Sequence, residues 1–495
     1  DEGIYSCAME GKIKVENIEE ESCVYTLPYY YCELGVTKKI IEITLNEYEP
    51  VDIDVEAEIK AFEKKCGVSF APSQKDAIKA AFDNGVEIIT GGPGTGKTTI
   101  INCIAEIFEK ADMKILLGAP TGRAAKRMSE ATGREAKTIH RLLEMGVSDG
   151  EDDMMFSKGE NAPLECDVLI VDEASMIDIM LMHNLLKAVT QGTRVIIVGD
   201  VDQLPSVGPG NVLRDFIESG WIKVIRLKEI FRQSKESMII VNAHRINEGE
   251  MPVINARDND FYFIKEDDQS RILNTLVDLL RNRLPSFNKN WDPNKNIQIL
   301  SPMRKGILGI ANLNIRLQEI LNPPAPEKTE KECKEVVFRV GDKVMQTKNN
   351  YSLKWTRVSG VGDEEGVGIF NGDMGYIDEI DEDENTITIV FDEERKVVYE
   401  SMYIEEIDLA YAITIHKSQG SEFPVVVIPV FPGPPMLMNR NLLYTGITRA
   451  KQMVVLVGSQ KSLSAMVNNN RSFERYSMLK WRIMDIVQHG LEKNT

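Results

Sequence analysis

The chain has 495 residues, 43% of them hydrophobic, and its 58 Lys and Arg against 77 Asp and Glu give a formal net charge of −19. That length suggests roughly two to four domains, and an apolar share of this size fills real cores, which excludes a disordered, tail-like chain. No window approaches about 18 uninterrupted apolar residues, so a membrane span is excluded, and no basic stretch followed by an apolar core marks a secretory signal. Seven cysteines, at positions 7, 23, 32, 66, 103, 166 and 333, include no C-x-x-C pair. That argues against a zinc site and a disulfide framework and predicts a reducing cytoplasm. The acidic balance argues against a nucleic-acid partner unless a narrow groove is set among acidic faces.

Residues 1–55 mix β-rich runs, Cys23–Tyr31 and Ile40–Leu45, with acidic turns. A charged helix over Val55–Lys65 then leads to Ser73, a good N-cap residue, and Gln74. From there to about residue 250, short aliphatic runs alternate with glycine turns and amphipathic helices: Val86–Thr90, Lys114–Gly118, Val168–Val171, Val195–Val198 and Lys223–Arg226. This alternation predicts an α/β domain with a mostly parallel sheet. Gly146–Asn161 is acidic and glycine-containing, and reads as a mobile loop.

A second α/β unit begins near Ile297–Ser301 and continues with a helix over Leu308–Leu321. Val336–Ile407 alternates apolar and polar residues between turn signals at Val340-Gly341-Asp342, Asn371-Gly372-Asp373 and Asp381–Asn385, the pattern of a small inserted β-barrel. Val425–Val430, a helix near Leu442–Thr448 and the strand Met453–Val457 resume the α/β pattern.

The chemistry concentrates in Gly91-Gly92-Pro93-Gly94-Thr95-Gly96-Lys97-Thr98, which fits G-x-x-x-x-G-K-[ST] between a strand and a helix. Glycines let backbone N–H groups close around phosphates; Lys97 suits the β- and γ-phosphates, and the Thr98 hydroxyl suits Mg²⁺. Farther along, the apolar run Leu169–Val171 ends in Asp172-Glu173, one acid to hold the metal and one to polarise water. Gln203, in Gly199-Asp200-Val201-Asp202-Gln203-Leu204-Pro205, is a neutral donor suited to sensing a γ-phosphate. Arg232 in Phe231-Arg232-Gln233 and Arg449 in Tyr444–Lys451 each offer a guanidinium for transition-state charge, although a surface arginine is as good a reading of either alone.

Together with Leu117–Ala125, Thr138–Leu143, Ser301–Gly306 and Tyr411–Glu422, these strings resemble the RecD-like, 5′→3′ branch of superfamily 1 DNA helicases, of the short RecBC-independent type, over about residues 70–460 and in the expected order. The resemblance implies two RecA-like P-loop domains with ATP between them, the second carrying an inserted Src-homology-3-like barrel. The expected boundaries are a shortened N-terminal region (1–70), a first motor domain (71–250) with a strand-separating pin at about 133–166, a second motor domain (251–335 and 406–495), and a barrel at 336–405. It further implies that Gln74 reads adenine, that Thr99 and Gly420 join Gly92–Thr98 around the nucleotide, that Glu422 contacts the ribose, and that Thr98 and Asp172 hold Mg²⁺. The blander alternatives are a helix-start residue for Gln74 and a solvated loop acid for Glu422. Implied DNA contacts are Pro120, Thr121, Thr138, His140, Pro302, Asn371, Thr414 and His416, while Tyr351 reads as barrel core. The expected partners are single-stranded DNA and duplexes with a 5′ single-stranded tail, met by a cytoplasmic monomer. A translocase that unwinds poorly, a non-catalytic nucleotide-gated binding module and an RNA motor are the rival readings.

Overall fold

In the computed structural model, which describes residues 2–18, 21–147, 154–229, 236–254, 259–333, 336–358, 365–471 and 475–492, the chain divides into two units. The first comprises Asp1–Pro120, Ala124–Ile230 and Glu474–Thr495, and the second Thr121–Arg123 and Phe231–Phe473. The first division thus falls at Ile230 rather than at the expected 250.

The first unit opens with an antiparallel pair, β1 (Ile13–Ile18) and β2 (Glu21–Thr26), followed by a helix over Leu27–Leu45. Ile40–Leu45, expected as a β run, is the end of that helix. Spacing overrides β-branched propensity here: Cys32, Val36, Ile40 and Ile43 recur at helical intervals and are buried in one core with Met182, Leu185 and Leu186. The next helices are Val55–Cys66, close to expectation, and Pro72–Asp83. Ser73 is not the N-cap of the latter; Ala71 holds that position, Pro72 opens the helix with its preset φ, and the Ser73 hydroxyl bonds Glu229.

All five aliphatic runs form strands: β3 (Val86–Gly91), β4 (Ile115–Ala119), β8 (Val168–Val171), β9 (Arg194–Gly199) and β10 (Lys223–Leu227). They join β5 (Ala136–Thr138) in a six-stranded sheet of order β10-β3-β9-β8-β4-β5, with every pair parallel. Between β5 and β8, within and beside the segment expected as a mobile loop, the two strands of a hairpin pair antiparallel, β6 (Met145–Val147) with β7 (Met154–Phe156). Met145 with Val147 and Met154 with Phe156 carry a period-two signal that the glycines and acids obscured, and residues 148–153 of the expected loop lie outside the described residues.

The chain end returns to this unit, although 406–495 was expected to lie wholly in the second motor domain. Leu479 and Ile483, on the helix Leu479–Glu492, are buried in one cluster with Val36, Ile40 and Phe216. Beside them, Ser477 Oγ donates to Asp215 Oδ2 at 2.7 Å. Burial pushes the Asp215 carboxyl up to about 7, with Glu33 and Glu218 adding to the rise. A raised carboxyl pKa gives stability that is fully present below the unfolded value and lost as pH rises through the folded one. Asp215→Asn is therefore expected to gain melting temperature relative to the parent as pH rises from about 5 to about 8. A difference that stays constant across that range, measured by thermal melts in matched buffers, would contradict this.

In the second unit, β11 (Phe261–Lys265), β12 (Ile297–Ser301), β22 (Ala412–Thr414), β23 (Phe423–Val430) and β24 (Ala450–Gly458) make a parallel sheet of order β11-β24-β23-β12-β22. Between β12 and β22 lie a helix over Ile310–Leu321 and the strands β13 (Glu330–Cys333), β14 (Val336–Arg339), β15 (Lys343–Gln346), β16 (Asn350–Arg357), β17 (Glu365–Ile369), β18 (Met374–Asp381), β19 (Thr386–Phe391), β20 (Arg395–Tyr399) and β21 (Ile407–Leu409). Seven of these form one antiparallel sheet of order β17-β16-β20-β19-β18-β15-β21. Its expected turns are present, with Gly341 at φ 90°, Gly372 at φ 95° and Asn385 at φ 55°. The buried Asp342 carboxylate ties this insertion to the α/β part, accepting from Gln318 Nε2 (2.6 Å), Asn322 Nδ2 (2.7 Å), the Tyr411 hydroxyl (2.9 Å) and the Arg339 amide (2.8 Å). Tyr351 is half-buried, edge-on to Phe370 with ring centroids 5.5 Å apart.

Candidate nucleotide and nucleic-acid site

The nucleotide-type residues of the first unit gather at the carboxyl ends of its strands, where open α/β sheets bind ligands. β3 runs straight into the glycine loop, where Gly94 and Gly96 take φ of 72° and 84°, conformations that side chains resist. Thr95 Oγ1 donates to the Gly92 carbonyl at 2.8 Å, closing the loop on itself. Lys97 begins the helix Lys97–Lys110, and its Nζ donates to the carbonyls of Gly91 (2.6 Å) and Gly92 (3.0 Å), a posture that lays the ammonium across the loop. Thr98 and Thr99 follow in the first helical turn, both half-buried, and Pro93 is half-buried in the loop. The loop's amides and the helix N-terminus make this an anion cradle.

Gln74 performs the bland task and a second one. Its Oε1 accepts from the Ala71 amide at 2.8 Å, capping its own helix, and its Nε2 donates to the Thr95 carbonyl at 2.8 Å. The side chain, 1% exposed, thus fixes the glycine loop against the preceding helix.

β9 neighbours β3, and β8 neighbours β9. Asp172 and Glu173 therefore lie two strand spacings, about 10 Å, from the loop's strand. Both are buried, and Asp172 Oδ1 accepts from the Glu173 amide at 2.8 Å. Burial, and then the Glu173 charge, push the Asp172 carboxyl up, opposed by Arg127 and Lys97. Glu173 sits at φ 54°, in the left-handed region. Arg127 Nη2 reaches its Oε1 at 2.5 Å and lies 3.7 Å from Asp172 Oδ2. Sequence reading missed Arg127, although it falls just beyond the Leu117–Ala125 string. Gln203 is buried; its Nε2 donates to Asp200 Oδ2 at 3.1 Å, while its Oε1 makes no hydrogen bond.

A second arginine without a sequence signal grips the loop after Gln203. Arg475 donates to the Ser206 hydroxyl (3.2 Å) and the Gly210 carbonyl (2.6 Å), and also to the carbonyls of Ser206 and Gly208.

Of the expected metal ligands, the Thr98 hydroxyl and the Asp172 carboxylate are hard oxygen donors of the kind Mg²⁺ prefers, so the donor set fits that ion. Among the described residues, no cluster of three or more His, Cys, Asp or Glu forms a separate metal site.

Pro120 and Thr121 follow β4 and are half-buried. The Thr138 hydroxyl accepts from the Arg141 amide at 3.2 Å, capping the short helix Ile139–Leu142 that carries His140. Burial pushes the His140 imidazole below its ordinary value, as it does His416, so both rings are neutral at pH 7. A cavity of 710 Å³ at the root of the hairpin is lined by His140, Phe156, Lys158 and Lys187, among others.

In the second unit, Pro302 follows β12, Thr414 ends β22, and His416 opens a 3₁₀ turn, all on the carboxyl side of that sheet. The Thr414 hydroxyl accepts from the Lys417 amide at 3.2 Å. Asn371 is exposed at a barrel turn, its amide donating to Asn349 Oδ1 at 2.9 Å. Gly420 takes φ 72°, and the exposed Glu422 pairs with Lys451 at 3.1 Å. Arg449, 3% exposed, donates to the carbonyls of Thr445 (3.2 Å) and Ser421 (3.4 Å) and to Thr448 Oγ1 (3.2 Å). Arg232 lies outside the described residues.

The chain is similar to known protein families, curated proteins and solved structures. Residues 74–209 match the AAA domain family, 313–391 the SH3 domain of ATP-dependent RecD-like DNA helicases, and 409–457 the UvrD-like helicase C-terminal domain. The ATP-dependent RecD2 DNA helicase of Deinococcus radiodurans is 32% identical over 420 residues, 85% of this chain and 53% of that protein. The RecBCD enzyme subunit RecD of Mycobacterium tuberculosis is 29% identical over 450 residues, 83% of this chain and 72% of that one. The chain thus spans about half the length of the first of these relatives. Among solved structures, Bacteroides Pif1 bound to single-stranded DNA is similar over 86% of this chain and 98% of that one, at 18% identity and a TM-score of 0.47. With two parallel α/β units, an inserted SH3-type sheet and these three matches in chain order, the chain is similar over most of its length to RecD-like DNA helicases.

Proposed function

We propose that the chain is an ATP-dependent DNA helicase that moves 5′→3′ along single-stranded DNA, acting in DNA repair or recombination as a cytoplasmic monomer. The observation that carries this reading is the alignment of the glycine loop, Asp172-Glu173 and Gln203 along the carboxyl edge of one parallel sheet, in a chain that also has the RecD-like insertion. The cytoplasmic expectation draws on seven cysteines that form no disulfide. No helix among the described residues is long and apolar enough to cross a membrane.

In this reading the glycine-loop amides and Lys97 bind the phosphates, Glu173 orients the attacking water, and Gln203 responds to the γ-phosphate. Thr98 and Asp172 would hold Mg²⁺, which supplies charge neutralisation on the phosphates. Arg232 and Arg449 are proposed to stabilise charge on the transferring phosphoryl group. Gln74 enters as the adenine-side residue, though its hydrogen bonds to Ala71 and Thr95 give it a positioning task as well. Neutral His140 and His416 suit hydrogen bonding to phosphate or stacking on bases, contacts that carry no sequence preference. The cavity beside His140 mixes Lys158 and Lys187 with Glu160 and Asp178, so its contacts to a strand would be polar rather than strongly basic.

Strand displacement on two duplexes, one with a 5′ single-stranded tail and one with a 3′ tail, tests the proposal. ATP-dependent unwinding of the 5′-tailed duplex alone is expected. Unwinding of the 3′-tailed duplex would overturn the polarity. Unwinding of neither, with hydrolysis still stimulated by single strands, would favour a translocase that remodels protein–DNA complexes.

A further inference from the structure

The helix Gly122–Thr132 begins directly after Pro120 and Thr121, proposed DNA contacts, and carries Arg127. Its first turn packs through small side chains, Ala124 and Ala125 clustering with Ala119, while Met128 and Thr132 farther along are buried as well. Small side chains interlock little, so the first turn, next to Pro120 and Thr121, shifts at lower cost than the part keyed in by Met128.

At the other end of the relay, Arg127 Nη2 donates to Glu173 Oε1 at 2.5 Å, with Asp172 Oδ2 3.7 Å away. The Arg127 side chain is 26% exposed and the Glu173 side chain 8%. A charge-assisted bond in so dry a position is strong, and it draws electron density from the carboxylate. A glutamate that must accept a hydrogen bond from the attacking water cannot do so well with a guanidinium on the same group. The left-handed backbone at Glu173 (φ 54°) and the Asp172 Oδ1 bond to its amide fix the residue's main chain, so the side chain is the part left to move.

We infer that Arg127 is a positioning residue that latches Glu173 away from the attacking water until a single strand bound at Pro120–Thr121 shifts the helix that carries it. The inference rests on the proposed function and adds the residue through which a bound strand would stimulate hydrolysis.

The test is steady-state ATP hydrolysis by the full chain, with and without an oligothymidylate strand, for the parent, Arg127→Ala, Arg127→Gln and Arg127→Lys. Loss of the latch is expected to raise the strand-free kcat at least about tenfold, equivalent to about 1.4 kcal/mol, and to shrink the stimulation ratio by the same factor. KM for ATP is expected to stay within about twofold, because the nucleotide contacts are untouched. Arg127→Lys, which keeps a cation, is expected to retain most of the stimulation. Arg127→Gln keeps the side-chain length and serves if the alanine variant does not fold. Strand-free and strand-stimulated rates that fall together at an unchanged ratio would overturn the latch alone. A parent protein without hydrolysis under either condition would remove the proposed function, and the latch with it.

Discussion

Lys97→Ala is expected to lower ATP hydrolysis by on the order of 10²–10³-fold or more while the protein stays folded. The direction follows from where the ammonium sits. Lys97 Nζ contacts the carbonyls of Gly91 and Gly92 at the mouth of the glycine loop, and the side chain is only half-buried. Removing it strands no buried charge, because water can bond those carbonyls, so the melting temperature should move by only a few degrees. What is lost is the fixed positive charge where phosphate charge develops, and the surrounding amides cannot replace it. Parallel measurement of hydrolysis and thermal melts checks both halves. Full hydrolysis in a folded Lys97→Ala protein would show that the reaction lies elsewhere.

The legibility of this site in the sequence had a physical limit. The glycine loop could be read because its chemistry is local: a few consecutive residues set both the backbone shape and the ligating groups, and Gly94 and Gly96 take the positive φ that glycine permits. Five of the six strands of the first sheet were equally plain, since strands of a covered parallel sheet show as short aliphatic runs. Ile40–Leu45 failed because a short apolar run does not distinguish strand from helix until its neighbours supply a period. Arg127 was hidden for a different reason. Its partner Glu173 is on another strand's end, and nothing in a helix of mixed charge marks which arginine will meet it. Arg475 and Arg482 lie farther still from their partners Ser206 and Glu33, so the return of the chain end to the first unit had no sequence signature.

That return carries the largest expected effect on stability. Arg482, 4% exposed, lies 3.2 Å from Glu33 and 2.5 Å from Glu16, with its guanidinium carbon 5.4 Å and 5.1 Å from the ring centres of Tyr25 and Tyr30. Glu33 is 5% exposed and also accepts from the Met478 amide at 3.2 Å. Truncating one partner of a buried pair leaves the other charge unsatisfied, which costs about 3–5 kcal/mol. Arg482→Ala should therefore destabilise the first unit by about that amount and loosen the helix Leu479–Glu492 from the helix Leu27–Leu45. The pH dependence follows from Glu33, whose carboxyl burial raises above its ordinary value even though Arg482 pulls it down. Without the arginine that pKa climbs further, so the variant gains stability by protonating Glu33 as pH falls. Its deficit against the parent should thus be greatest near neutral pH and shrink toward about pH 5, and adding Glu33→Gln should recover part of the loss. Denaturant melts of the parent, Arg482→Ala and the double variant at two pH values measure each of these. A deficit that does not change with pH, and is not relieved by Glu33→Gln, would mean that lost packing of the guanidinium on Tyr25 and Tyr30, rather than an unpaired carboxylate, sets the cost.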